Sequence, residues 1–175
     1  FSNLRFNCIG NELNKEMFNL YVAVRDHLPE TIKAYKKLID TRPRNKSAAD
    51  VSIYYKQLKD NYAENYAYRK VSENSAMLMF LLQLSFSYMW GNRNAGQTYY
   101  NSSNTDLFNG SYGPGKIDGV KPIISDKFFD EKIQNLKNWN RVLQKTKLWC
   151  RSYDEVPFPK VSSLIYCVPP FFFFF

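Results

Sequence analysis

The sequence predicts an α/β protein in which helices flank an open, largely parallel sheet, and three observations predict it. The strand-like run from Leu4 to Ile9 passes through Gly10-Asn11-Glu12-Leu13-Asn14 into a helix on which Met17, Leu20, Tyr21 and Val24 recur at helical spacing. The apolar run from Leu164 to Val168 stops abruptly at Pro169 and Pro170, as a buried strand does where it leaves a sheet. Between them lie several segments of helical length and period. In open sheets of this class, ligands bind outside the carboxyl ends of the strands, so the Glu12 turn and the Pro169-Pro170 corner are both candidate sites.

In chain order, Asn14 is placed to cap the first helix, with Lys15 and Glu16 in its first turn. Glu12 has two readings. An acid just past a strand end is able to accept both hydroxyls of a cofactor ribose, or it is a first-turn acid favoured by the helix dipole. Pro29 marks the start of a second helix carrying Ile32, Tyr35 and Ile39, which ends near Arg42-Pro43. A third helix from Ala48 to Tyr68 aligns Val51, Tyr54, Tyr55, Leu58 and Tyr62 on one face. Residues Glu73 to Met89 are apolar on most sides and read as a buried helix.

Composition changes sharply between Gly91 and Pro122, which hold six of the seven glycines together with five asparagines. A long loop or hairpin is expected there. It carries Arg93, Asn94, Tyr99 and Lys116, basic, amide and aromatic groups suited to phosphates and bases. Ser125 then caps a helix with Phe129, Ile133, Leu136, Val142 and Leu143 as its buried face, followed by a strand at Leu148-Trp149-Cys150.

The 175 residues suffice for one core, and 45% hydrophobic with 23% charged residues is ordinary globular composition. Aromatic residues make up 17%; filling a core is their commoner task, stacking on bases the rarer one. A net charge of +8 favours a polyanionic partner, although solubility alone would also account for it. Three cysteines without metal-ligand spacing or a disulfide framework fit a reducing, cytoplasmic compartment, and no metal is expected. No apolar run approaches the length of a membrane span, and no signal peptide opens the chain, which begins without Met as a fragment would.

Ile165-Tyr166-Cys167-Val168-Pro169-Pro170-Phe171 resembles the Ile-Tyr-Cys-Asp-Pro-Pro-Tyr motif of the Dam-type, adenine-specific DNA methyltransferases, with Val168 for the catalytic Asp and Phe171 for the Tyr. Gly10-Asn11-Glu12-Leu13-Asn14, followed by Leu20-Tyr21 and Val24-Arg25, is similar to the family's Asn-Asp-Ile-Asn segment and its helix. Gly91-Asn92-Arg93-Asn94-Ala95-Gly96 echoes the Arg-x-Asn-x-x-Gly pattern of its target-recognition hairpin. Ser152-Tyr153 matches an acid or serine followed by an aromatic. The family's Gly-rich cofactor turn, expected before Phe1, is not in the chain.

The resemblance implies a Rossmann-like methyltransferase fold with a helical and loop insertion for DNA recognition. Residues 1–40 would begin the cofactor-binding core, 41–124 form the insertion, and 125–175 return to the core. It further implies S-adenosylmethionine as cofactor, held by Asn11, Glu12, Ser152 and Tyr153, and double-stranded DNA as partner of a monomer. Val168, Pro169, Pro170 and Phe171 would stand at the catalytic corner. There the adenine amino group, flipped from the duplex, needs acceptors for its hydrogens before it attacks the sulfonium methyl. Valine offers none, so the enzyme as written is expected to be impaired. The alternative is a noncatalytic basic module that binds nucleic acid.

Overall fold

At Asn14 the backbone is still extended, with φ −70° and ψ 117°, while the side-chain oxygen accepts the N–H groups of Glu16 and Met17 at 3.0 Å each. Two of the donors that a helix start leaves without partners are thereby satisfied, and the first helix, α1, runs Lys15–Asp26. The structure is a computed structural model and describes residues 8–43, 48–85 and 126–156. In those residues β1, Cys8–Asn11, precedes α1. It is followed by α2, Leu28–Thr41, α3, Ala48–Asn65, α4, Val71–Leu84, α5, Asp126–Leu143, and β2, Thr146–Trp149. Two single 3-10 turns, Tyr66–Tyr68 and Tyr153–Glu155, complete the order.

β1 and β2 are parallel, in the register Cys8 with Thr146, Ile9 with Lys147, Gly10 with Leu148 and Asn11 with Trp149. Parallel strands require a crossover, and here the five helices of the described residues lie in it. The result is a helix-rich α/β arrangement, with a two-stranded sheet among the described residues. β1 runs two residues beyond the expected Ile9, because Gly10 and Asn11 still pair across the sheet and the Glu12 N–H donates to the Trp149 carbonyl at 3.0 Å. β2 correspondingly begins earlier than expected, at Thr146.

The core lies among the helices. Leu20 and Val24 of α1, Tyr35 and Ile39 of α2, Tyr55, Leu58 and Tyr62 of α3, and Phe129, Ile133 and Leu136 of α5 surround α4. α4 is buried from Ser72 through Leu81 nearly without interruption, apart from Glu73. That is what its all-round apolar composition requires. Phe80 and Phe129 stack at 5.7 Å between centroids, and Tyr35 meets both edge-on at 6.3 and 5.9 Å. Edge-to-face and offset contacts of this kind add about 0.5–1.5 kcal/mol per pair beyond area burial.

Polar contacts tie the helices to the sheet. Asn140 of α5 donates to the carbonyls of Val24 and Arg25 at 2.8 and 3.0 Å, capping the last turn of α1, and Arg25 reaches the Thr146 carbonyl of β2 at 3.4 Å. At the other end of α5, Arg42 pairs with Asp126 and lies 4.9 Å over the Phe129 ring.

Further expectations change, and the fourth helix, expected to run from Glu73 to Met89, spans Val71–Leu84 and stops where the backbone turns extended at Ser85. Val142, expected on the buried face of α5, is 62% exposed. It lies six residues beyond Leu136, which at 100° per residue turns it away from the core, whereas Leu143, one residue further, comes back into line and is half-buried. The third helix ends at Asn65 rather than Tyr68, passing into a tighter 3-10 turn.

A candidate ligand cleft at the sheet edge

Because β1 and β2 are parallel, their carboxyl ends lie side by side. Asn11, Glu12 and Leu13 at the end of one therefore meet Trp149, Cys150 and Arg151 at the end of the other. Asn11 joins them directly: its side-chain amide donates to the Arg151 carbonyl at 2.9 Å, and its oxygen accepts the Arg151 N–H at 3.1 Å. A second tie comes from the Cys150 thiol, which donates to the Leu13 carbonyl at 3.7 Å.

Glu12 precedes the helix instead of sitting in its first turn, which belongs to Lys15 and Glu16, so the first-turn reading of this acid does not hold. Its carboxylate oxygen Oε1 accepts the N–H of Asn14 at 2.9 Å. The carboxylate is thus fixed by the turn it helps to form, and it stands at the rim of a cleft of about 280 Å³. Gly10, Leu148 and Trp149 form the sheet side of this cleft, Phe18 and Tyr21 of α1 and Leu143 of α5 the helical side. A methyl group at Gly10 would come within 3.2 Å of Leu148 Cδ2, so glycine keeps this wall open.

The electrostatics follow from the crowding. The Tyr21 phenol is pushed above its ordinary range by burial and then by the nearby Glu12 carboxylate, so it is a hydrogen-bond donor at neutral pH. The Cys150 thiol is also pushed up, by partial desolvation first and by Glu12 second, with Lys15 opposing. A thiol shifted in this direction carries little thiolate, which argues against a nucleophilic role. Trp149 has Lys147 and Arg151 each 5.2 Å from its ring centre, one cation on either side of it in sequence.

Of the expected site residues, Asn11, Glu12 and Ser152 fall at this sheet edge, and Tyr153 opens the 3-10 turn that follows it. The Ser152 hydroxyl hydrogen-bonds the Asp154 carboxylate and, with the Asp154 backbone N–H, holds it below the usual carboxylate range. Arg93, Asn94, Tyr99 and Lys116 of the expected recognition loop, and Val168, Pro169, Pro170 and Phe171 of the expected catalytic corner, lie outside the described residues. Sequence reasoning missed Phe18, Tyr21 and Trp149 as cleft residues. Trp149 was open to the argument used for Glu12, since it too ends a strand.

Among the described residues, no group of three or more His, Cys, Asp or Glu side chains is placed to hold a metal ion, and no helix is long and apolar enough to cross a membrane. The chain matches no protein-family model and no curated protein.

Proposed function

We propose that the chain serves methyl transfer from S-adenosylmethionine to the exocyclic amino group of adenine in duplex DNA. The observation that carries this reading is the parallel pairing of β1 with β2. It puts Asn11 and Glu12, which line the cleft, next to residues 149–151, the stretch that leads into Ser152, so that two motifs 140 residues apart in sequence become neighbours. In this reading Glu12 takes the ribose hydroxyls, and Ser152 and Tyr153 contact the adenine of the cofactor. A cleft of about 280 Å³ lies at the lower edge of small-molecule sites, roughly 300–1,000 Å³, and suits the nucleoside half of the cofactor rather than all of it. Pro169 supplies a carbonyl acceptor to the target amino group, and Phe171 a ring for the flipped base. Val168 supplies no acceptor, which limits the rate. Arg93, Asn94, Tyr99 and Lys116 contact DNA.

Val168 also favours a second reading, a noncatalytic module that binds nucleic acid through its net charge of +8. Calorimetric titration with S-adenosylmethionine separates the two. The first reading expects saturable binding that Glu12→Ala weakens about tenfold or more, the scale of losing hydrogen bonds to a charged group. It also expects methyl transfer from labelled cofactor to rise roughly 100-fold or more in Val168→Asp, the scale of a positioned acceptor. Binding of DNA without binding of the cofactor supports the second reading, and a Val168 protein that transfers methyl groups as fast as the Asp variant removes the catalytic assignment of that position.

A further inference from the structure

We infer that Asn11 is a positioning residue that fastens the Glu12 turn, which lines the cleft, to the segment through Arg151 that follows β2. The inference rests on the cofactor-binding reading for the ligand, and on the geometry alone for the fastening. β1 ends at Asn11 and β2 at Trp149, and the backbone ladder closes with the Glu12 N–H on the Trp149 carbonyl at 3.0 Å. Beyond that bond the backbone ladder ends, β1 passing into the turn toward α1 and β2 into the segment through Arg151 and Ser152, and side chains make the remaining ties, the Cys150 thiol on the Leu13 carbonyl and Asn11 on Arg151.

The Asn11 side chain replaces the missing rung. Its amide N–H donates to the Arg151 carbonyl and its oxygen accepts the Arg151 N–H, at 2.9 and 3.1 Å, so the side-chain amide engages both backbone groups of one residue, as a residue on a neighbouring strand would. This pairing has two consequences. It orders the backbone that leads into Ser152 relative to the Glu12 turn, so that a ligand touching both would meet them already ordered. It also fixes the backbone from which the Arg151 guanidinium reaches over the Trp149 ring, 5.2 Å from its centre. Asn11 is exposed, and its replacement removes little packing. Alanine should therefore loosen the segment without unfolding the protein. Ligand then bears the ordering cost, and affinity falls.

Aspartate at this position keeps an acceptor for the Arg151 N–H and loses the donor to its carbonyl. Backbone amide exchange, followed by NMR in the full chain, reads the fastening directly. In Asn11→Ala the Arg151 amide should exchange at least about tenfold faster, the equivalent of one or two ordinary hydrogen bonds, while the Glu12 amide, held by Trp149, keeps its protection. Asn11→Asp should restore protection at Arg151. In titrations with S-adenosylmethionine, Asn11→Ala should bind about tenfold more weakly and Asn11→Asp should recover part of the loss.

An Arg151 amide unaffected by alanine overturns the fastening. Accelerated exchange with unchanged cofactor affinity overturns its role in binding. Loss of protection at both Arg151 and Glu12 assigns Asn11 to holding the sheet itself and also overturns the proposal. If the unsubstituted protein binds no S-adenosylmethionine, the reading of function fails and the binding role of Asn11 with it, and the exchange result then decides the fastening alone.

Discussion

At the scale of single residues, Glu12 is where competing demands meet. Its Oε1 is already engaged by the Asn14 N–H, and its charge is felt by Tyr21 and Cys150. The thiol provides a sensitive report of that charge. Thiol alkylation proceeds through the thiolate, and a raised pKa lowers the thiolate fraction at any pH below it, so Cys150 should react more slowly near pH 8 than an unperturbed cysteine. Glu12→Gln keeps an acceptor for Asn14 and removes the charge. The thiol pKa should then fall, and alkylation of Cys150, followed by peptide mass spectrometry, should speed up by a factor of about two or more. An unchanged rate would mean that burial alone governs the thiol and that Glu12 is not electrostatically close to it.

At the scale of elements, α5 shows what periodicity delivers and where it stops. Phe129, Ile133 and Leu136 face the core, while Val142, equally apolar, faces solvent. Truncating Ile133 to Ala should cost about 2–5 kcal/mol, and truncating Val142 to Ala should change stability by less than about 0.5 kcal/mol, both measured as shifts in urea denaturation midpoint. The helices were legible because a long apolar period is a strong signal, and the Asn14 cap because its chemistry is local. The strand ends were not, because they depend on a partner 138 residues away in the chain: Gly10 and Asn11 belong to β1 only by virtue of Leu148 and Trp149. For the same reason the sequence pointed to Glu12 and Ser152 separately, through motif likeness, but not to the Asn11–Arg151 pairing or to the wall formed by Phe18 and Tyr21, which only packing creates.

At the scale of the molecule, the question is whether the cleft stands on its own or depends on the helices. A two-stranded sheet is at best marginally stable by itself in water, and parallel pairing is slightly weaker per residue than antiparallel. Among the described residues its supports are helical: Asn140 capping α1, Arg25 on the Thr146 carbonyl, and Leu143 against the cleft. The helices in turn share one aromatic centre, in which Phe80 of α4 stacks on Phe129 of α5 while Tyr35 of α2 meets both rings. Damage at that centre should therefore be felt at the sheet, although no atom of Phe80 lines the cleft. Phe80→Ala should cost about 3–5 kcal/mol, the range for truncating a fully buried phenylalanine. If core and sheet open together, the Glu12 amide and the amides of α4 should lose protection by the same factor, about 100-fold or more. If instead α4 amides exchange faster while Glu12 is unchanged, the sheet and its cleft are held by contacts other than the helical core, and the dependence argued here is wrong.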